Sequence, residues 1–117
     1  MDRRWSTSVR IAIALLLITF SISAQQPEDT ATRSVEGIVA DASGKPVTQA
    51  VVQLKDTKTL QIRSYRTDSD GKYHFSGLSF NVEYELRAAH EGATSSKKTL
   101  SVFNSQKTAT INLKLNK

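Results

Sequence analysis

From Arg33 onward the chain consists of short runs in which apolar and polar residues alternate, separated by clusters of Gly, Asn, Asp and Ser that recur about every ten residues. Side chains of an extended strand point alternately to its two faces, so a period of two predicts half-buried β-strands. Runs of this length and spacing predict an all-β sandwich or barrel. Seven strands are expected. Arg33 to Asp41 sets Val35, Gly37 and Val39 against Glu36 and Ile38, and the next run sets Ala50, Val52 and Leu54 against Val51, Gln53 and Lys55. Leu60 to Thr67 and Lys72 to Ser76 are expected to form a hairpin across Asp68-Ser69-Asp70-Gly71, with Tyr73 and Phe75 on one face. Val82 to Ala89 groups Val82, Tyr84, Leu86 and Ala88. Lys97 to Phe103 and Lys107 to Leu115 complete the set, the last alternating Ile111, Leu113 and Leu115 with Asn112 and Lys114. After residue 24 no stretch keeps a 3.6-residue apolar stripe for three turns, so almost no helix is expected.

The amino end has a different texture. Arg3, Arg4 and Arg10 precede the uncharged run Ile11 to Phe20, which gives way to the small-residue stretch Ser21-Ile22-Ser23-Ala24. This is the order of parts in a secretory signal peptide. A membrane-spanning helix needs roughly 20 apolar residues, about twice this run. Residues 1–24 are therefore read as a cleaved signal, cut after Ala24 or, alternatively, after Ser23. Residues 25–32, polar and aperiodic, are read as a flexible leader, and 33–117 as the folded domain.

Composition narrows the chemistry. The 117 residues include no cysteine, which excludes disulfide staples, thiolate metal sites and a thiol nucleophile. Of the formal net charge of +5, the first 24 residues hold +2, leaving a mildly basic remainder whose lysines and arginines are scattered except for Lys97-Lys98. No nucleic-acid partner is expected from such a surface on an exported protein.

Several motifs follow one another in the order of a known module: Gly37-Ile38-Val39-Ala40-Asp41, Gly44-Lys45-Pro46-Val47, Ala50-Val51-Val52-Gln53-Leu54, Thr67-Asp68-Ser69-Asp70-Gly71-Lys72-Tyr73-His74-Phe75, then Leu78 and Tyr84-Glu85-Leu86-Arg87-Ala88. Over nearly all of Ser34 to Leu115 the chain resembles a carboxypeptidase regulatory-like domain. That resemblance implies a seven-stranded antiparallel Greek-key β-sandwich of transthyretin-like type, found beside metallocarboxypeptidase domains, at the amino end of outer-membrane receptors, and alone in exported bacterial proteins. The family shares core and turn positions rather than a catalytic set. The chain departs from its pattern at Ser79-Phe80-Asn81-Val82-Glu83, where a Pro/Gly turn is usual.

Several residues are candidates for chemistry. Asp68 and Asp70 suggest a calcium loop, but Arg66 and Gly77 stand where an EF-hand pattern needs acids, so a turn is the expected role. His74 and His90 lie among tyrosines, and some enzymes with a related sandwich hold iron with two His and two Tyr. Those enzymes use a close His pair, whereas sixteen residues separate these two. Transthyretin-like hydrolases end in Tyr-Arg-Gly-Ser, and this chain ends Leu115-Asn116-Lys117. No Gly-x-Ser-x-Gly elbow occurs. Hence no catalytic, cofactor-binding or metal-binding residue is assigned, and no cofactor is expected. The expected function is a non-catalytic exported module, a monomer in the periplasm or outside the cell, without a stable membrane anchor after signal cleavage. Its expected partner is an envelope protein, reached by strand addition along Lys107 to Leu115 if that strand is an edge; central placement, paired on both sides, is the alternative. A carbohydrate-binding module using Tyr65, Phe80 or Phe103 as stacking platforms is the other reading.

Amino-terminal sequencing of the exported protein should begin at Gln25, or at Ala24 with the earlier cut. An intact Met1 on the inner membrane would contradict a cleaved signal.

Overall fold

The computed structural model describes residues 31–117. The signal peptide read at 1–24 and most of the leader lie outside them; Thr32 opens the first strand. Nine strands follow in order: β1 (Thr32–Ala40), β2 (Val51–Asp56), β3 (Ile62–Arg66), β4 (Lys72–Ser79), β5 (Tyr84–His90), β6 (Ala93–Thr94), β7 (Lys98–Leu100), β8 (Thr108–Thr110) and β9 (Leu113–Lys114). The described residues contain no helix.

Two sheets pack face to face. One has β1 at its centre, with β4 antiparallel on one side and β8 and β9 parallel on the other. The second runs β3, β2, β5, with β6 and β7 both against the far side of β5. Because β6 shares a lane with β7, and β8 with β9, the nine strands occupy the seven positions expected. The departure is direction: the C-terminal lane runs parallel to β1, so the sandwich is mixed rather than wholly antiparallel.

The alternation read from the sequence is the one that packs. Val35, Val39, Val52, Leu54, Tyr73, Phe75, Leu78, Leu86, Ala88, Leu100, Ala109 and Leu113 are buried in one core between the sheets. Burying a side chain of this size contributes roughly 1.5–3 kcal/mol, which is what selects the register. Phe75 and Leu78 both face inward although three residues apart, because β4 carries an extra residue opposite Arg33 to Val35. This bulge lets β4 run on to Ser79, past the Ser76 expected.

The expected hairpin between the third and fourth strands does not form. β3 pairs with β2 in one sheet and β4 with β1 in the other, so Asp68 to Gly71 turns the chain between sheets. Thr67, buried at the crossing, shows how: its hydroxyl donates to the Val47 carbonyl and accepts from the Ala50 N–H, which ties the chain to β2 and not to β4.

The C-terminal lane is broken for a specific reason. The Ile111 carbonyl turns inward over Gly37 and accepts the Tyr73 hydroxyl, whereas Asn112 Oδ1 takes over as acceptor for the Ile38 N–H at 3.0 Å. A Cβ on Gly37 would stand 1.9 Å from the Ile111 oxygen. Gly71 has φ +75°, and its Cβ would meet the Val39 oxygen at 2.9 Å.

Gly37→Ala should therefore destabilise by at least about 3 kcal/mol, since the obstruction is backbone and cannot swing aside. Gly71→Val should cost more than the ~1 kcal/mol typical of a point change. Urea unfolding checks both; an unchanged midpoint for either would show that the close approach is absent in solution.

Candidate functional site: an open strand edge and an arginine-pinned end

Strand β8 has β1 as its one strand partner among the described residues. The Ser34 N–H donates to the Lys107 carbonyl, and the Ile111 N–H to the Glu36 carbonyl. Backbone polar groups alternate sides along a strand, so Lys107, Ala109 and Ile111 face β1 while Thr108 and Thr110 direct their N–H and C=O away from the sheet. Further along, the lane is occupied: Ser95 bridges Leu115, and the Asn116 N–H donates to the Thr94 carbonyl at 2.9 Å. What stays open is the stretch Thr108–Thr110, with both threonines exposed and Ala109 anchored in the core. Of the two alternatives for the strand expected at Lys107 to Leu115, the structure gives the edge at Thr108–Thr110, whereas the lane at Leu115 and Asn116 is bonded on both sides.

A second edge is β3, which the sequence analysis did not single out. All five of its residues are exposed, and it pairs with β2 alone. Arg63 and Arg66 guard it with charge, and Arg63 lies over the Phe75 ring, donating to the Ser76 carbonyl at 3.1 Å.

Arg33 is the largest feature missing from the sequence reading. Though charged, it is 1% exposed. Its Nε donates to the Ser79 carbonyl at 3.0 Å, Nη1 to Ser101 and Asn104 at 2.9 and 3.0 Å, and Nη2 to Val82 at 2.8 Å. Burial lowers its pKa from the ordinary guanidinium value, with the charge retained. The guanidinium also lies over the Phe80 and Tyr84 rings, 5.4 and 6.0 Å from their centroids. The signal available in the sequence was an arginine in phase with Val35, Gly37 and Val39.

Of the other candidates, Tyr65, Asp68 and His74 line one cavity of about 400 Å³ together with Glu36, Lys72 and Thr110, while His90, Phe80 and Phe103 lie apart from it. His74 stands on the outer surface of the β1 sheet, 3.6 Å from Glu36, while His90 ends β5 in the other sheet. Tyr65 packs edge-on against Phe75 with centroids 6.0 Å apart, and Phe80 lies under Arg33, so both rings are partly engaged. Phe103 is 92% exposed at a loop apex. Asp68 Oδ1 accepts the N–H groups of Asp70 and Lys72, each at 2.9 Å, and so closes the turn. Asp41 and Asp56 close their own turns in the same way.

Those bonds hold the pKa of Asp41, Asp56 and Asp68 below the usual carboxylate value, chiefly through the Lys45, Thr59 and Lys72 N–H groups respectively. A carboxyl with a depressed folded pKa contributes stability that is present above its unfolded value near 4 and is lost as pH falls through the folded value. The thermal midpoint should thus fall as pH drops below about 4. Asp68→Ala should lower it at neutral pH, with the gap to wild type narrowing on acidification; a constant gap would contradict a role for the ionised carboxylate.

Comparison with known proteins gives a fold and a family. No curated protein matches the chain. Among solved structures, 3-chlorocatechol 1,2-dioxygenase from Rhodococcus opacus 1CP superposes with TM-score 0.56 at 15% identity, covering 80% of this chain and 62% of that one. The major pilin subunit BcpA of Bacillus cereus gives 0.59 at 14%, covering 74% and 30%. The dioxygenase domain of a dioxygenase carbohydrate-binding fusion from Streptomyces sp. SirexAA-E gives 0.54 at 14%, covering 81% and 84%. The chain spans less than two thirds of the chlorocatechol dioxygenase and of the pilin subunit, and at such identities the likeness is one of fold. The family described as carboxypeptidase regulatory-like domain matches residues 34–116, so the chain belongs to the carboxypeptidase regulatory-like domain family.

Proposed function

We propose that the chain is an exported, non-catalytic module that binds a protein partner in the cell envelope by accepting a strand along the open edge at Thr108–Thr110. The observation that carries this reading is the one-sided pairing of β8, which leaves the outward N–H and C=O groups of Thr108 and Thr110 without strand partners among the described residues. Main-chain bonds formed by an added strand supply affinity, and side chains beside the edge supply specificity. β8 is the better acceptor because Thr108–Thr110 carries no charge, whereas β3 carries Arg63 and Arg66. The export reading rests on residues 1–24 and is supported by pilin subunits among the fold neighbours. The dispersal of the histidines and the use of the aspartates in turns support a non-catalytic role.

The carbohydrate reading has less support. Tyr65 lines a cavity but its ring packs edge-on against Phe75, Phe80 lies against Arg33, and Phe103 stands 92% exposed on a turn apart from both, so the three rings form no common stacking platform.

Proline at Thr108 and at Thr110, one at a time, should leave the protein folded, because neither N–H serves the ladder with β1. Each should abolish cross-linking to the envelope partner. Ser64→Pro on β3 should keep it. Unfolding of both β8 variants would show that this lane is paired on both sides, and loss of the cross-link only with Ser64→Pro would move the site to β3.

A further inference from the structure

We propose that one end of the sandwich is a membrane-contact surface: Leu60, Val102 and Phe103 enter the interfacial layer of a bilayer, while Lys58, Lys98 and Lys107 meet its anionic headgroups. Three loops meet at this end, formed by residues 57–61, 80–83 and 101–107. Thr57 donates its N–H and hydroxyl to the Glu83 carbonyl, and Arg33 joins Val82 to Ser101 and Asn104.

The apex at 101–104 presents its apolar residues on a fixed backbone. The Asn104 N–H closes a turn on the Ser101 carbonyl at 3.1 Å, and the Phe103 N–H donates to Ser101 Oγ at 3.0 Å. Arg33 holds both carbonyls that bracket the turn from beneath. The two central residues, Val102 and Phe103, are 40% and 92% exposed. An ordered turn that holds a phenylalanine almost fully in water gains nothing for folding from that ring.

Leu60 supplies an independent observation. It is 63% exposed and has φ +66°, a left-handed conformation that is unfavourable for a bulky side chain. The turn that imposes this backbone is closed by the Leu60 N–H on the Asp56 carbonyl and the Asp56 N–H on the Gln61 carbonyl, so its order comes from main-chain bonds while the Leu60 side chain is left in water.

Shape and charge select the occupant. The exposed apolar residues sit on two hydrogen-bonded turns, 57–61 and 101–104, which suits insertion between lipid headgroups better than docking on a flat protein face. Lys58 and Lys107 lie in these loops against Glu83; of the adjoining strand ends, β7 adds Lys98, β2 adds Asp56, whose carboxylate accepts the Lys58 and Thr59 N–H groups, and β5 adds Glu85, which is paired with Lys97. Apolar points flanked by lysines that are free among the described residues, with Asp56 and Glu85 engaged in the fold, complement an anionic bilayer surface.

The test reads position as well as binding. In the exported, signal-cleaved protein, which lacks Trp5, Phe103→Trp reports the apex and Thr110→Trp the open edge. Phosphatidylcholine vesicles with phosphatidylglycerol should shift the emission of the apex reporter to the blue, and brominated acyl chains should quench it, leaving the edge reporter unquenched. Leu60→Ser, or Lys58→Gln with Lys107→Gln, should weaken the apex response about tenfold. The proposal fails if the apex is not quenched, if both reporters are quenched equally, or if phosphatidylcholine alone gives the full response. A blue shift produced by soluble envelope protein but not by vesicles would assign the apex to a protein pocket and overturn the membrane reading.

Discussion

The Arg33 guanidinium is buried at one end of the core, and its hydrogen-bond partners are carbonyl oxygens rather than a carboxylate. A charge removed from water without compensation is strongly unfavourable, so the group is tolerable only where its donors are met. Four of its five N–H groups point at the carbonyls of Ser79, Val82, Ser101 and Asn104, and the planar fork fixes their positions relative to β1. Hydrogen bonds to a charged donor contribute roughly 1.5–3 kcal/mol each, about twice a neutral bond. Lysine, with three donors on a tetrahedral head, could not reproduce the pattern. In a chain without cysteine, this one side chain fastens the end of β4 and two connections between the sheets.

A second lock, at the middle of β1, decides how the C-terminal lane is laid down. The Tyr73 hydroxyl draws the Ile111 carbonyl inward, an approach possible because Gly37 has no side chain. Burial pushes the Tyr73 phenol upward in pKa, so it stays a donor throughout the physiological range. Asn112 then imitates the displaced backbone acceptor for Ile38. The cost is a broken lane, and its consequence is that the open part of the edge is short. Short edges resist indiscriminate pairing.

What was legible in the sequence follows from period and turn chemistry. Alternation over Val35 to Val39, Val52 to Leu54, Tyr84 to Ala88 and Ile111 to Leu115 identified the strands and most of the core, because burial against a second sheet enforces a period of two. The partner of each strand was less legible. Asp68-Ser69-Asp70-Gly71 makes the same local turn whether it joins strands of one sheet or of two, and the choice lay with Thr67 and its distant bonds to Val47 and Ala50. Arg33 escaped because a charged residue at the start of a strand ordinarily points to water, and its acceptors are 46 to 71 residues away in sequence. The parallel lane, likewise, depends on a return connection that no local pattern encodes. Phe103 was recognised as an aromatic, but its exposure depends on Arg33 gripping the turn beneath it.

The same physics explains why candidate surfaces lie where they do. Across the sandwich interior every position is committed by packing, and a change there is felt as lost stability before it can become a site. Freedom remains where backbone order is supplied by something other than burial of the local side chain. β8 is ordered by its ladder with β1 and by Ala109 beneath, which leaves Thr108 and Thr110 facing outward. The 101–104 turn is ordered by Arg33 and Ser101, which leaves Val102 and Phe103 unconstrained by the core. At both places the chain avoids most of the entropic cost of ordering a segment on binding. A small sandwich with no catalytic constellation assigned can in this way offer rigid contacts through one strand edge and one loop apex, each held from behind by residues that a partner need never touch.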